Sequence, residues 1–229
     1  MLLVLGLALG AVSVVLALTW PGFRVRRIEV SGQRVVTRDD VRAAAAISPE
    51  ANLWLLDARA TARRIEAIPY VRDVSVRRVP PAELDIAITE RSPYAILVDG
   101  TTRVLVDRDL RVLGEGNAAL ALPRMEVPHA SIGAVGSFVD DATVVALRGD
   151  AETLAAAHLP ARDLALDAYG SLTATIAGGV RVLLGDDENL AKKISLIEPI
   201  LAKFSRGARH VAIVDLRAPS APVVTFGTR

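Results

Sequence analysis

Side chains able to do chemistry are present in this chain, but they are not spaced to do it together. The three histidines, His129, His158 and His210, lie far apart. None has the H-x-x-x-H spacing that turns two imidazoles toward one metal. His158 falls at a helix end and His210 at a strand start, where capping or solvation suffices. No Cys occurs, so thiolate zinc sites and disulfides are excluded. Serines are present without a G-x-S-x-G elbow. A phosphate-binding G-x-x-x-x-G-K loop and a dinucleotide glycine fingerprint are both missing, and Gly178-Gly179 reads as a tight turn. The acidic runs Asp39-Asp40 and Asp186-Asp187-Glu188 read as helix starts, where caps and the macrodipole favour negative charge. No catalytic, cofactor-binding or metal-ligating residue is therefore assigned, and no small-molecule substrate is expected. Two groups remain as contact candidates. Arg77-Arg78 is either a contact patch or a solvated strand edge that discourages aggregation. Asp215-Leu216-Arg217 brackets the last turn, where an ion pair would orient the closing strand.

The chain that must position these residues has 229 of them, enough for one large or two small domains. A net charge of +1 offers nothing toward nucleic acid. Arg outnumbers Lys, which occurs only at 192, 193 and 203; we read this as genome composition, not as a phosphate-binding patch. Mean hydropathy is +0.37, and the apolar excess sits at the front, where Met1–Trp20 carries no charge. An apolar run of about 20 residues matches the thickness of a bilayer core. Trp20 and Phe23 fall where an aromatic belt would lie. A cleaved signal peptide needs a basic start and a small-residue cleavage site, and Ala17-Leu18-Thr19 is a poor one. Residues 1–22 are therefore expected to form an uncleaved transmembrane helix in the lipid bilayer.

Past it, Arg24–Val30 reads as a strand and Ser31-Gly32 as a turn. Thr37, with Asp40 three residues on, starts a helix over Arg38–Ala46 in capping-box style. Asp57 starts a second over Ala58–Ala67, with Ala58, Ala62 and Ile65 inward. Strands Arg72–Val79 and Leu84–Glu90 follow, joined by Pro80-Pro81. In the second, Leu84, Ile86 and Ile88 alternate with Asp85, Ala87 and Thr89, the pattern of a half-buried antiparallel strand. From Pro93 the pattern is mostly β. Strands are expected at Tyr94–Val98, Arg103–Asp107, Leu164–Asp167, Leu172–Ile176, Val180–Leu184, His210–Asp215 and Val223–Phe226, with a short one at Asp109–Leu113. Asp99-Gly100 marks a hairpin. Asn117–Pro123 reads as a loop, and Met125-Glu126-Val127 is too short to assign. A helix over Asp140–Ala157 carries Gly149, which admits a split into two. A last helix, Glu188–Phe204, has Leu190, Ile194, Ile197, Leu201 and Phe204 as its stripe, and Pro199 should kink or break it.

Three passages resemble a known family. They are Phe23–Gly32, then Ile68–Pro93 ending in Glu90-Arg91-Ser92-Pro93, then Gly179–Gly185 followed by a helix and Ile213–Arg217. Taken in order behind an apolar anchor, they are similar to the FtsQ/DivIB cell-division proteins. The stretch Asn117–Leu159 is diverged from that pattern. The resemblance implies an α+β architecture. A transmembrane anchor over 1–22 would precede a β-α-α-β-β POTRA domain over 23–92. A mostly antiparallel C-terminal β domain with two helices would fill 93–229. It further implies a non-enzymatic divisome scaffold in the cell membrane at the septum, with its domains on the outer side. Basic residues Arg24, Arg26 and Arg27 follow the anchor, so that orientation calls for a basic segment upstream of Met1. The implied partners are FtsB/DivIC-, FtsL- and FtsW/FtsI-like membrane proteins. Asp215, Leu216, Arg217, Val223, Val224, Thr225 and Phe226 would capture a partner strand, and Arg77 and Arg78 would serve the POTRA domain. The alternative is a POTRA-bearing envelope transport or assembly factor binding polypeptides.

Overall fold

The computed structural model describes Gly10, Ser13 and residues 20–167, 169–186, 188–204 and 210–227. The membrane anchor expected over residues 1–22 falls almost wholly outside the described residues. Among those described, no helix is long and apolar enough to cross a membrane. Two compact units divide between Ser92 and Pro93.

The first unit contains β1 (Arg27–Ser31), α1 (Arg38–Ala45), α2 (Ala58–Glu66), β2 (Val71–Val79) and β3 (Glu83–Glu90). That is the β-α-α-β-β order read from the sequence. β3 is the central strand of a sheet ordered β1-β3-β2. It runs antiparallel to β2 but parallel to β1, so the antiparallel reading holds on one side only. A parallel neighbour needs a crossover, and the two helices supply it. Leu84, Ile86 and Ile88 are buried, while Ala87 and Thr89 are exposed, as the alternation requires.

Local chemistry fixes the helix ends. The Thr37 hydroxyl accepts the Asp40 N–H at 3.1 Å, and the Asp40 carboxylate accepts the Thr37 N–H at 3.2 Å. Asp57 accepts the Ala60 N–H at 2.9 Å and starts α2. The inner face of α2 is Thr61 and Ile65, with Ala58 and Ala62 half-buried. The apolar stripe omitted Thr61, whose hydroxyl is satisfied by donating to the Asp57 carbonyl at 3.0 Å. Arg64 donates to the Ala45 carbonyl from Nε at 3.0 Å and Nη2 at 2.8 Å, closing the C-terminal end of α1.

The end of β3 is tied to the turn after β1. Gly32 has φ +88°, and a Cβ there would stand 2.0 Å from the Ile88 carbonyl oxygen, so only glycine fits. Just beyond, the Glu90 carboxylate accepts backbone N–H groups of Arg34 at 2.8 Å, Val35 at 3.0 Å and Val36 at 2.8 Å. Partial burial disfavours its charged form, but those donors, helped by the Arg34 charge, hold the Glu90 carboxyl below its ordinary value of 4.5. A lowered folded-state value means stabilisation that is complete above the ordinary value and is lost as pH falls below it. Glu90→Gln should cost the unit about 1–2 kcal/mol at neutral pH. It should also flatten the acid limb of a thermal-melt series. An unchanged acid limb would assign that limb to other groups.

The second unit contains β4 (Pro93–Asp99), β5 (Thr102–Asp107), β6 (Val112–Glu115), β7 (Arg124–Glu126), α3 (Ala142–Ala156), β8 (Asp163–Leu166), β9 (Leu172–Thr175), β10 (Arg181–Gly185), α4 (Leu190–Phe204), β11 (His210–Asp215) and β12 (Val223–Gly227). All nine strands join one sheet in the order β12-β11-β10-β9-β8-β7-β4-β5-β6. Three pairings are parallel, β4 with β7, β7 with β8 and β10 with β11, and the other five are antiparallel. The expected mostly antiparallel domain is thus a mixed sheet. Two of the three parallel pairings follow from the helices: α3 connects β7 to β8 and α4 connects β10 to β11, and each returns the chain in its original direction, whereas β4 and β7 are joined through β5, β6 and the loop after them.

A buried row runs across this sheet in register. It joins Val224, Val214, Val182, Ala174, Leu164, Met125, Leu97 and Val104. Val144, Leu147, Ala151 and Leu154 of α3 and Ile194 and Ile197 of α4 belong to the same core. The segment left unassigned, Met125-Glu126-Val127, supplies β7, a central strand. The strand expected at Asp109–Leu113 begins later, because Leu110 turns at φ +63° with its N–H on the Asp107 carbonyl at 3.0 Å. Both helices run unbroken, α3 through Gly149 and α4 through Pro199. Gly149 is exposed, and an added Cβ would meet nothing within 4 Å. Gly149→Ala should therefore stabilise the unit by about 1 kcal/mol, read as a raised midpoint in urea at unchanged slope.

Candidate partner-binding site

β12 is the last strand of the sheet. It pairs antiparallel with β11, and no described strand pairs with its other side. A strand so placed carries a row of backbone donors and acceptors directed outward. Its side chains divide by face. Val224 and Phe226 pack partly on the core, and the Phe226 ring meets Phe204 edge-on at 5.3 Å. Val223, 59% exposed, and Thr225 stand on the open face. A bulge between Val211 and Ile213 interrupts the β11–β12 ladder, which adds local twist next to the edge.

The turn that delivers β12 is held as the sequence suggested. Arg217 donates to the Asp215 carboxylate from Nη2 at 2.6 Å and from Nε at 3.0 Å, and its backbone N–H reaches the same group at 3.1 Å. The Arg217 hydrogen bonds are the main cause that holds the Asp215 carboxyl below the ordinary range, against partial burial. Between them Leu216 is fully buried and donates its N–H to the Leu183 carbonyl at 2.8 Å. Leu216 anchors the turn from inside and presents no side chain to a partner. The structure thus brings six of the seven expected residues to one accessible edge and its turn.

Arg77 and Arg78 do not form one patch, because neighbours on a strand point to opposite faces. Arg77 is largely exposed and pairs with Asp85 on β3. Arg78 donates to the carbonyls of Leu53 and Leu56, each at 2.7 Å, and so fixes the connector before α2. Lys193 was missed, since its place on the helical stripe carries no apolar signal. Its side chain is 3% exposed, and Nζ donates to the Asp186 carboxylate at 2.6 Å and carbonyl at 2.9 Å. Asp186, expected to cap α4, therefore joins that helix to the end of β10. Asp187 lies outside the described residues. Glu188 is exposed, and the helix starts later, at Leu190.

Surface recesses lie elsewhere. One of about 550 Å³ is lined by Leu120–Arg124, Pro160–Asp163 and Gly179 among others. Another, about 420 Å³, lies over Arg124, Asp163, Thr175 and Arg181 on the open face of the sheet. His129 donates its N–H to Asp99 at 3.2 Å, and His158 follows α3 at φ +61°. Among the described residues no three His, Cys, Asp or Glu side chains gather as a metal would require.

A three-stranded sheet ordered β1-β3-β2 with a two-helix crossover is the β-α-α-β-β arrangement of the POTRA class of domain. Residues 23–91 match the family model described as POTRA domain, FtsQ-type. The cell division protein FtsQ of Streptomyces venezuelae is 32% identical over 209 residues, covering 89% of this chain and 74% of that protein. FtsQ of Streptomyces griseus is 28% identical over 207 residues, covering 88% and 97%. FtsQ of Mycolicibacterium smegmatis is 29% identical over 206 residues, covering 89% and 58%. The chain belongs to the FtsQ/DivIB family of bacterial cell-division proteins.

The two arginines should separate by experiment. Arg77→Ala should change the unfolding free energy of the first unit by no more than about 0.5 kcal/mol, since exposed ion pairs contribute little. Arg78→Ala should cost about 1–3 kcal/mol, because two carbonyls lose a charged donor. Equal losses from both would contradict the split described here.

Proposed function

We propose that this protein is a non-enzymatic scaffold of the bacterial division machinery, held in the cytoplasmic membrane by residues 1–22 with both units on the outer side. Its second unit captures FtsB/DivIC–FtsL-type partners by adding one of their strands to β12. The observation that carries this reading is the open outer edge of β12 at the end of a nine-stranded sheet. Backbone hydrogen bonds supply affinity in such an arrangement, and alternate side chains supply selectivity. Val223 and Thr225 on the open face are the exposed readers, and the Asp215–Arg217 turn sets the height of the strand. Family membership supports the cellular setting, and the exposed Arg77 leaves the first unit a contact of its own for FtsW/FtsI-like members.

Successive residues of a strand direct their N–H groups to opposite sides, so Val223→Pro and Val224→Pro act differently. One removes a bond to β11 and should destabilise the closing hairpin. The other removes only an outward donor, and should keep the wild-type melting temperature while losing partner capture in a pull-down. In cells, that variant should weaken the midcell band of the partner and spare that of the protein itself. Wild-type capture by both variants would show that the edge is not the site. A uniform envelope signal from the protein would favour a polypeptide transport or assembly role.

A further inference from the structure

The first unit carries an exposed aromatic surface that the β12 reading does not use. Trp20 is 57% exposed, Trp54 43% and Leu55 63%. The Phe23 ring joins the two tryptophans, meeting Trp20 edge-on at 5.5 Å and Trp54 at 6.1 Å. Gly22 makes this possible: a Cβ there would lie 2.2 Å from the Trp20 ring. The connector that carries Trp54 is held rigidly. Leu53 donates its N–H to the Phe23 carbonyl at 2.8 Å, and Val25 donates its own to the Ala51 carbonyl at 2.9 Å. Asn52 accepts the Trp54 N–H at 2.9 Å. Arg78 clamps the Leu53 and Leu56 carbonyls from behind, and Leu53 is fully buried. The loop is thus anchored from inside and displays Trp54 and Leu55 outward.

Large apolar side chains clustered on a rigid loop mark a contact surface. The sequence says which one. The uncharged run of residues 1–19 leads in sequence directly into Trp20, and Arg26 and Arg27, which follow Phe23 closely in sequence, are exposed. Tryptophan with flanking arginine is the composition that settles at the boundary of a bilayer, with its ring apolar and its N–H wet. Arg24 pairs with Glu50 at 3.0 Å, which neutralises the one acidic side chain on that connector before Asp57.

We propose that Trp20, Trp54 and Leu55 form a wedge that seats the POTRA unit on the bilayer interface. The membrane then touches the unit at two points, the anchor and a connector remote from it in sequence. The proposal rests on the reading of residues 1–22 as an anchor. It makes the unit a fixed stand on the membrane surface, not a domain swinging on a tether.

The chain contains only two tryptophans, both in the wedge, so Trp20→Phe leaves Trp54 as the sole reporter. The full chain carrying that substitution would be reconstituted into nanodiscs containing dibromo-phosphatidylcholine. Trp54 emission should fall at least ~2-fold against unbrominated discs, as expected for a ring at the interface. Adding Leu55→Asp should abolish most of that quenching and open Trp54 to acrylamide, with circular dichroism and melting temperature unchanged. If the chain co-elutes with nanodiscs but Trp54 ignores bromine and is freely quenched by acrylamide, the wedge is wrong and the anchor stands. If the chain does not associate with nanodiscs at all, both readings fall.

Discussion

The second unit depends on one row of side chains. Val224, Val214, Val182, Ala174, Leu164, Met125, Leu97 and Val104 stand in register across eight strands, six of them at 1% exposure or less. Burial of such a row fixes strand register, since a slip by one residue would turn each strand's apolar set toward water. The row also fixes what faces outward. In the neighbouring register Thr225, Ile213, Arg181, Thr175, Asp163 and Arg124 cross the open face. The row ends at Val224, half-buried on the last strand. The candidate edge is therefore attached to the core by side chains while its backbone stays open.

In the first unit the decisive contacts are polar side chains applied to backbone ends. Glu90 gathers three N–H groups, Arg64 takes the Ala45 carbonyl, and Arg78 takes those of Leu53 and Leu56. A unit this small has few apolar side chains to spend, so satisfying turns and helix ends carries much of its definition. The abundance of arginine acquires a structural use here. A guanidinium holds five N–H donors in a plane, and Arg64 and Arg78 each direct donors from two nitrogens onto carbonyl oxygens.

Much of this was legible because period and caps are local signals. The alternation of Leu84, Ile86 and Ile88, the Thr37–Asp40 box and the Asp215–Arg217 turn each lie within a few residues. What escaped is set at long range. The three residues of β7 carry no period of their own and become a strand only between two parallel neighbours. The parallel pairings of β7 with β8 and of β10 with β11 follow from where α3 and α4 return the chain, which no strand records. Leu216 sits between two charged residues, yet its side chain is buried and its N–H extends the ladder to Leu183. At the candidate edge, the open side of β12 was readable only as chain position, and its two faces emerged from the register with β11.

From β7 onward the spatial order of strands repeats their order in the chain. Each new strand docks beside the one synthesised just before it, so the sheet lengthens by addition at a single growing front. Little of the later chain is needed to complete earlier pairings, which favours assembly while the polypeptide is still emerging. The front at any moment is the most recent strand, and β12 is the last of the described strands to join. A chain halted before Val223 would end its sheet on β11, with a different sequence and the opposite strand direction on its edge. The β12 edge thus exists only once the eight earlier strands of its sheet have been made.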